Sequence, residues 1–328
     1  MTQSSTTSNP ATVRPKFSFD GLLRKNAIAI VAVLLIVLVT LGNPAFLSFF
    51  NIANMLSQWA PAGLMAIGMT YVIIVGGFDL SVAATFSFAA VMAAMVGQTM
   101  PPSVAFVAAI AVGAAVGAVN GALVAKLKVN PFIATVGTGF IVTGLTFVLT
   151  GNVAFMVSDP GFSWLGANRI AGVPYSGILL IVSLVVGGVV LARTYYGHVI
   201  YAVGGNAEAS HLTGLRVPLI EGSTYLLLGA LTGIAGFISA SQLSSAQANM
   251  DPNIMFDVLT VVIVGGTPLG GGIGSIGRTA IGLVIIATIS NGFVLLGISP
   301  YYQNIIKGVL IVGALVLESV VNRKNAAS

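Results

Sequence analysis

Residues 201–222 read YAVGGNAEASHLTGLRVPLIEG, a polar stretch in an otherwise strongly apolar chain. This polar strip, as we term it, carries Glu208, His211, Arg216 and Glu221, although charged residues make up only 6% of the 328 residues and hydrophobic residues 56%. The mean hydropathy is +1.01, and a water-soluble surface needs a much larger share of charged side chains. The chain is therefore predicted to be an integral membrane protein in which the polar strip separates two spans.

The composition excludes several kinds of catalytic and metal-binding chemistry. There is no cysteine, which excludes a thiol nucleophile, a disulfide framework and thiolate metal ligation. The histidines are His198 and His211, too few to favour a histidine-based metal centre. No HExxH motif, pair of carboxylates or plausible Ser/His pair is found in the sequence, so an intramembrane enzyme is disfavoured. The sequence therefore predicts a protein without catalytic residues, metal or cofactor.

Ten apolar runs are candidates for bilayer-crossing helices, each of which needs about 20 mostly apolar residues. The third and eighth runs could be half-crossings, because small residues and glycine dominate them and a re-entrant segment would leave the same pattern. The predicted fold class is an all-α polytopic membrane protein of about ten transmembrane helices, with broken or re-entrant glycine-rich segments. The runs are centred near Val33, Ala66, Ala89, Ala114, Ile141, Val185, Gly229, Val262, Val284 and Val312.

The distribution of basic residues predicts the orientation. If ten spans alternate from a cytoplasmic start, both termini and the polar strip between spans six and seven are cytoplasmic, which obeys the positive-inside rule. The predicted organisation is a cytoplasmic tail over residues 1–25, a single transmembrane domain over 26–321 and a cytoplasmic tail over 322–328. Of the 13 basic residues, the eleven on the cytoplasmic side are Arg14, Lys16, Arg24, Lys25, Lys126, Lys128, Arg193, Arg216, Arg278, Arg323 and Lys324.

Within the polar strip, the sequence predicts a short helix over residues 207–213. Asn206 can cap its start, and Gly214 can terminate it in a left-handed conformation. Glu208 lies near the positive end of the helix dipole. So short a helix is not stable alone in water. The segment is therefore either a solvated connector or a docking helix for a soluble partner on the cytoplasmic side.

The polar strip resembles a segment of a known family. Residues 202–217, AVGGNAEASHLTGLRV, are similar to the cytoplasmic coupling segment of the permease subunits of bacterial ABC importers for ribose and related monosaccharides. Three further stretches resemble the same family in order and spacing: VGGFDLSVAATFSFAAVMAA at residues 75–94, a glycine-rich block at residues 245–282, and NGFVLLGISPYYQNIIKGVLIV at residues 291–312. Together these stretches cover most of the chain from the second span onward.

The resemblance implies a function and a set of partners. It implies a homodimeric permease core in the bacterial inner membrane, surrounded by lipid. Separate ATP-binding cassette subunits would bind its cytoplasmic side, a periplasmic sugar-binding protein would bind outside, and no nucleic acid is involved. Ala207 stands where an acidic residue is often found in the family. The residues that the resemblance assigns to ATPase coupling are Gly205, Asn206, Glu208, Ala209, His211 and Gly214.

The stretch GGTPLGGGIGSIGR at residues 265–278 is not predicted to bind nucleotide. A phosphate-binding P-loop needs a lysine after its glycines, and none follows here, so ATP hydrolysis is expected on a partner chain. The simplest interpretation is a turn with close helix packing, and the alternative is a broken helix whose backbone lines a pathway. The glycine-rich structural segments are predicted to involve Gly76, Gly77, Asp79, Gly265, Gly266, Gly271, Gly272 and Gly274.

Two further patterns bear on mechanism. VIVGG at residues 262–266 echoes VIIVGG at residues 72–77, which suggests an internal repeat. Asp79 is predicted to cap the third span, with a cation or proton site as the alternative. The centres of the spans hold almost no other ionisable group, whereas ion-coupled carriers usually need intramembrane acids or bases.

An uncharged polyol needs only hydroxyl, amide and aromatic partners along its pathway. Each polar span residue could instead hydrogen-bond a neighbouring helix. The prediction is the membrane-spanning subunit of an ATP-driven importer for a monosaccharide or related polyol, and the alternative is a self-contained secondary carrier. The candidate pathway and substrate residues are Asn54, Gln58, Trp59, Asn120, Asn291, Gln303 and Asn304.

Overall fold

The computed structural model describes residues 19–299 and 301–326, which are mostly helical. The α-helices are α1 (Phe19–Gly42), α2 (Phe49–Ile74), α3 (Val82–Gly97), α4 (Pro102–Gly121), α5 (Pro131–Thr150), α6 (Tyr175–Arg193), α7 (Tyr195–Gly205), α8 (Ala207–Leu212), α9 (Val217–Leu243), α10 (Ile254–Val264), α11 (Ile276–Leu295) and α12 (Tyr301–Ala326). A π-helical turn, Ala122–Lys126, extends α4, and two 3-10 helices lie at Pro44–Leu47 and Pro160–Trp164.

The described residues include four very short β-strands of two residues each. β1 (Phe155–Met156) pairs antiparallel with β4 (Ser245–Ala246), with Phe155 opposite Ala246. β2 (Arg169–Ile170) pairs antiparallel with β3 (Val173–Pro174). These pairs tie connectors together and form no sheet that could bury a core.

All ten predicted span centres lie within helices, namely α1 to α6 and α9 to α12. α3 has 16 residues and α10 has 11, so the third and eighth runs are the short ones that the sequence indicates. The all-α, multi-pass membrane class is confirmed, and the number of ten crossings stays a prediction. Among the described residues, five helical segments are long and apolar enough to span a bilayer: Pro102–Lys126, Pro131–Thr150, Tyr175–Arg193, Val217–Leu243 and Ile276–Leu295.

The predicted domain boundaries stay predictions. Residues 1–18 of the predicted N-terminal tail and residues 327–328 of the C-terminal tail lie outside the described residues. α1 begins at Phe19 and α12 ends at Ala326. Helical backbone therefore continues past both predicted boundaries, at residues 25 and 321.

α2 is the central helix of the structure. Every residue from Trp59 to Ile74 is buried, and the helix packs against α6, α9, α10 and α11. The hydroxyl of Tyr71 donates to the carbonyl of Gly187 in α6 at 2.6 Å. A helix that is apolar on all sides is a buried one, and α2 accordingly lies inside a surround of other helices.

Glycines bring α4 and α9 into backbone contact. A Cβ atom added to Gly113 would lie 2.2 Å from the carbonyl oxygen of Gly229, and one added to Gly117 would lie 2.3 Å from that of Tyr225. Membrane helices gain little from burying large apolar side chains, because lipid tails are equally apolar, so close backbone approach supplies much of their packing. Close packing is therefore the role of these glycines.

The connectors lie at two opposite ends of the helices. At the inner end, which holds the C-terminus of α2, the backbone N–H of Gly272 donates to the carbonyl of Ile74 at 2.8 Å. At the outer end, the side-chain amide of Gln242 donates to the carbonyl of Ser57 at 2.9 Å. In the predicted alternation of spans, the two residues of each contact lie toward the same side of the membrane.

The polar strip differs from the prediction at both of its ends. α7 reaches into it, and α9 begins at Val217 within it, so less of the strip is a free connector than its composition indicates. The side chain of Thr194 caps the first turn of α7, and Val199 and Val203 pack against Val217. With 11 residues, α7 is too short to cross a bilayer, and a prediction based on spans therefore misses it.

We expect Gly113→Ala to destabilise the protein, because the new Cβ atom would meet the backbone of α9 and overpacking costs roughly 1–3 kcal/mol. Gly144→Ala is the matched control, since a Cβ atom there meets nothing within 4 Å. Both variants receive the same helix-propensity gain of about 1 kcal/mol. Thermal unfolding in detergent should give the lower midpoint for Gly113→Ala. Equal midpoints would contradict the packing role.

Candidate functional site

A short capped helix, α8, forms the exposed part of the polar strip. The Oδ1 atom of Asn206 accepts a hydrogen bond from the backbone N–H of Ala209 at 2.9 Å. The backbone N–H of Asn206 also donates to the carbonyl of Ala202 at 3.1 Å, so this residue ends α7 and begins α8. The predicted cap is therefore present, and it joins the two helices directly.

The C-terminus of α8 is closed by a Schellman motif. Gly214 has a left-handed φ of +88°. Its N–H donates to the carbonyl of His211 at 2.9 Å, and the N–H of Leu215 donates to that of Ser210 at 3.2 Å. These are the two hydrogen bonds that define the motif. The terminator lies where the sequence predicts, although the helix ends at Leu212 and not at residue 213.

The surface of α8 is open. Ser210 is the buried residue of this helix, and α8 packs on α7 and α9. That support explains how so short a helix is held in shape. The six residues assigned to ATPase coupling are all exposed: Gly205, Asn206, Glu208, Ala209, His211 and Gly214.

The two glycine turns of the sequence echo share one geometry. Gly76 follows the end of α2 and Gly266 the end of α10, with φ values of +85° and +84°. In the first turn, the N–H of Gly77 donates to the carbonyl of Val72 at 2.9 Å. In the second, the N–H of Thr267 donates to the carbonyl of Val262 at 3.2 Å. The echo therefore encodes the same helix-ending turn twice.

The other glycines predicted to belong to the glycine-rich structural segments lie in the turn between α10 and α11. Gly271, Gly272 and Gly274 have φ values of +79°, +72° and +157°, which side chains with a Cβ atom rarely adopt. A Cβ atom on Gly265 would lie 2.6 Å from the carbonyl oxygen of Arg278. The turn with close packing is thus the interpretation that the geometry supports.

Asp79 is the centre of a buried polar network. Its side chain is 3% exposed, and its Oδ1 atom accepts hydrogen bonds from the backbone N–H of Ser81 at 2.8 Å and from the Ser81 hydroxyl at 2.6 Å. The amide of Asn120 donates to Oδ2 at 3.0 Å and accepts from Thr138 at 2.6 Å. Burial raises the pKa of the Asp79 carboxyl, and the hydrogen bonds from Ser81 and Asn120 oppose that shift. The network joins the start of α3 to α4 and α5.

A cavity of about 260 Å³ opens at the outer end between α2, α3, α9 and α10, and we term it the outer cavity. Trp59 is 7% exposed, and its Nε1 atom has no hydrogen-bond partner among the described residues. Gln58 and Gln242 supply amide groups, and Asp251 and Asp257 supply carboxylates. The remaining lining residues are Pro61, Ala62, Phe86, Ser239, Leu243, Met250 and Ile254.

One of the two carboxylates of the outer cavity is paired. The ammonium group of Lys307 in α12 lies 2.5 Å from Oδ1 of Asp257 in α10, and the two side chains are 13% and 14% exposed. Because the pair is largely withdrawn from water, each charge offsets the cost of burying the other, and either charge alone would be strongly destabilising. Within the described ranges, no group of three or more His, Asp or Glu side chains is placed to hold a metal ion.

Three of the other candidate pathway residues connect structural elements. Asn120 belongs to the Asp79 network. Asn54 accepts a hydrogen bond from Arg169 at 2.7 Å. Asn291 exchanges two amide hydrogen bonds with Asn51, at 2.9 and 3.0 Å. Asn120 and Asn291 thus bond neighbouring helices, as the alternative interpretation expects, whereas Asn54 bonds a connector. A pathway role for these three residues stays a prediction.

Of the seven candidates, the structure brings Gln58 and Trp59 to the outer cavity. Gln303 and Asn304 lie on α12 and do not line it. The sequence analysis does not identify Gln242 as a residue of this cavity, although Pro61 is a signal for such a polar partner. Pro61 has no N–H to donate within α2, so a polar side chain is needed to bond the carbonyl that this proline leaves free.

Comparison with known proteins gives a consistent result. The family model described as branched-chain amino acid transport system / permease component matches residues 51–315. The chain is 38% identical to the ribose import permease protein of Bacillus subtilis, over 94% of this chain and 96% of that protein. It is 31% identical to the galactose/methyl galactoside import permease protein of Escherichia coli, over 93% and 96%.

A third relative is the L-arabinose ABC transporter permease protein of Azospirillum brasilense. The two chains are 32% identical over 90% of this chain and 88% of that protein. Among solved structures, none matches this chain.

We expect Asp79→Ala to lower stability, because it leaves the backbone N–H and the hydroxyl of Ser81 without an acceptor, at about 1–3 kcal/mol for each group. It also removes one of the two acceptors of the Asn120 amide, which keeps the Ser81 hydroxyl oxygen at 2.8 Å. Asp79→Asn should be milder, since its carbonyl oxygen can still accept from Ser81. Chemical denaturation of the purified protein should rank wild type, Asp79→Asn and Asp79→Ala in falling order. An alanine variant as stable as wild type would show that the network does not hold the connector.

Proposed function

The chain belongs to the branched-chain amino acid transport system / permease component family, and we propose that it is the membrane-spanning subunit of an ATP-driven importer of a monosaccharide or related polyol. The observation that carries the proposal is the capped, exposed α8 in a chain that is similar over nearly its whole length to sugar import permeases. As a transport subunit it needs no catalytic residue, and ATP hydrolysis takes place on a partner.

The proposed assembly has a partner at each end. ATP-binding cassette subunits bind the inner end, which is cytoplasmic, and a periplasmic sugar-binding protein docks on the outer connectors. A second copy of the chain completes a homodimeric pathway, and the exposed apolar faces of the helices contact lipid of the bacterial inner membrane. Both termini are cytoplasmic, because this orientation obeys the positive-inside rule. Residues 26–321 form the permease domain between two cytoplasmic tails.

α8 suits docking because hydrogen bonds within the chain already hold both of its ends in shape. Asn206 bonds one of the free N–H groups of the first turn, and the Gly214 motif bonds carbonyl groups of the last turn. Backbone groups at helix ends otherwise need water or another partner. A subunit that covers α8 therefore leaves its shape unchanged and can move it as a rigid body.

The outer cavity is the proposed place where the sugar meets the permease. Trp59 offers a buried N–H without a partner among the described residues, and Gln58 offers an amide donor and acceptor. The amide nitrogen of Gln242 is engaged with Ser57, so Gln242 offers its carbonyl oxygen as an acceptor. Sugar hydroxyls both donate and accept hydrogen bonds, so they match this set of groups. Lys307 compensates the charge of Asp257, which leaves Asp251 as the carboxylate of the lining without an ion-pair partner among the described residues. The amide and indole groups beside it suit the hydroxyl groups of an uncharged sugar.

A partner ATPase is the proposed source of energy. Ion-coupled carriers use intramembrane acids or bases that gain and lose an ion or proton. Among the described residues, the buried carboxylate of Asp79 has three hydrogen bonds from Ser81 and Asn120, and Asp257 is paired with Lys307. The second candidate function is a self-contained secondary carrier. Transport by this chain alone in proteoliposomes, driven by an ion gradient, would support that candidate instead.

Variants of α8 test the proposal. Ala209→Pro should abolish binding of the ATP-binding cassette subunit, because proline removes the N–H that Asn206 caps and disfavours helical backbone at Glu208, in a helix that has no turn to spare. Gly214→Asp should also abolish it, since it opposes the left-handed terminator and adds charge at the negative helix end. Glu208→Lys should only weaken it, because exposed ion pairs contribute about 0–1 kcal/mol.

The measurements are co-purification of the cassette subunit and ATP hydrolysis stimulated by the binding protein loaded with ribose, galactose or arabinose. All three variants should insert into the membrane as wild type does, because the spans are unchanged. If Ala209→Pro keeps both binding and stimulated hydrolysis, α8 is a connector and the docking role is wrong.

The pathway is tested at its aromatic residue. Trp59→Phe keeps most of the ring surface and removes the N–H, so we expect sugar uptake into proteoliposomes to fall about 2- to 10-fold, the effect of one hydrogen bond. Trp164→Phe is the matched control, because Trp164 packs against Phe106 and Phe237, with ring centroids 6.1 and 6.3 Å away, and does not line the outer cavity. Equal uptake by the two variants would remove Trp59 from the pathway.

A further inference from the structure

We propose that α2 is the mechanical link between the polar strip and the outer cavity, with Gly204 as the positioning residue at its inner end. The link rests on the proposed function, because it explains how a partner bound at α8 changes a site at the opposite end. Three features carry it: a backbone junction at the inner end of α2, the buried shaft of that helix, and a break in its hydrogen bonding at the outer cavity.

The junction is formed by backbone alone. A Cβ atom on Gly204 of α7 would lie 1.7 Å from the carbonyl oxygen of Ile74, the last residue of α2, and 2.8 Å from the nitrogen of Gly272. That nitrogen itself donates to the Ile74 carbonyl at 2.8 Å. Three segments of chain thus meet with no side chain between them. A displacement of α7 therefore presses directly on the end of α2, since there is no flexible group to absorb it.

α7 is fixed to α8 on one side and to the α10–α11 turn on the other. Asn206 ends α7 and caps α8, as described above, so the two helices share a residue. The hydroxyl of Tyr201 in α7 donates to the carbonyl of Gly274 at 2.7 Å. A movement of α8 consequently reaches α7, the turn and the end of α2 together.

The shaft of α2 carries the displacement across the molecule. Its residues from Trp59 to Ile74 are all buried, and at 1.5 Å per residue this part is about 22 Å long. A continuous helix in a close-packed surround moves as a unit, because bending it would open cavities against its neighbours. The far end of this shaft is the wall of the outer cavity.

The outer end of α2 can bend, because one hydrogen bond of the helix is missing there. Pro61 lies inside the helix and cannot donate to the carbonyl of Ser57, four residues earlier. That carbonyl accepts instead from the side chain of Gln242 in α9 at 2.9 Å. Proline inside a helix is a common cause of a kink. Gln58, Trp59 and Pro61 all line the outer cavity, so a shift of the shaft at this break changes the walls of the cavity.

The test uses the complete transporter with one introduced cysteine in each copy of this chain, and labelling is measured on this chain. The chain has no native cysteine, so Gln58→Cys places one thiol at the outer cavity, and its labelling rate by a maleimide reports access to that cavity. We expect this rate to differ between the nucleotide-free complex and the complex trapped with ATP and vanadate. Adding Gly204→Ala should abolish the difference and lower sugar-stimulated ATP hydrolysis roughly fivefold or more, while the cassette subunit stays bound.

Gly270→Ala is the matched control, because it lies in the α10–α11 turn and a Cβ atom there meets nothing within 4 Å; it should keep the nucleotide-dependent difference. If Gly204→Ala disrupts assembly, Tyr201→Phe decides, since it removes only the hydroxyl that bonds Gly274. We expect a smaller nucleotide-dependent difference with assembly intact.

The outcomes separate the link from the proposed function. A Gln58→Cys complex that responds to nucleotide, combined with an unchanged response in the assembled Gly204→Ala complex, overturns the link and leaves the proposed function standing. If Gly204→Ala does not assemble, an unchanged response in Tyr201→Phe overturns the link in the same way. A parent chain that binds no ATP-binding cassette subunit overturns the proposed function, and the link falls with it.

Discussion

Backbone contact without an intervening side chain is the interaction on which this structure depends. Inside a bilayer, every backbone polar group must find its partner within the protein, and lipid tails remove most of the gain from burying large apolar side chains. The chain meets both conditions with glycine. α4 and α9 touch along Gly113 and Gly117, and at the inner end the N–H of Gly272 donates to the carbonyl that closes α2. The same contacts hold the helices together and connect the polar strip to the central helix.

Local chemistry could be predicted from the sequence where spacing alone determines it. Apolar runs of span length became helices, because the bilayer fixes how many residues a crossing needs. Asn206 and Gly214 bound a short helix, since an N-cap and a left-handed terminator act on backbone within a few residues. The echo of residues 72–77 and 262–266 became two turns of equal geometry for the same reason. Each of these predictions needs no knowledge of what lies beside the segment.

Tertiary pairings could not be predicted in this way. The sequence predicts Asn120 as a pathway residue, yet its partner is the carboxylate of Asp79 in a distant connector, and nothing in the sequence around Asn120 encodes that pairing. The sequence also gives no pathway prediction for Gln242, although its side chain bonds the Ser57 carbonyl that Pro61 leaves free. A prediction based on spans does not find helix α7, because its 11 residues are too few to cross a bilayer. What decides these cases is which helix faces which, and that depends on the glycines of both partners at once.

The surroundings of the buried carboxylates also follow from the lack of water inside the protein. A buried carboxylate remains tolerable only when donors or a countercharge replace its hydration. Asp79 receives three hydrogen bonds, and Asp257 receives the ammonium group of Lys307. In both places the groups are already engaged with partners of the same chain, so neither is free to exchange an ion with the transported substrate. Engaged carboxylates of this kind do not favour coupling to an ion gradient, which agrees with the proposed partner ATPase as the source of energy. α8, capped at both ends and exposed at the inner end, is the surface through which we propose that this energy enters.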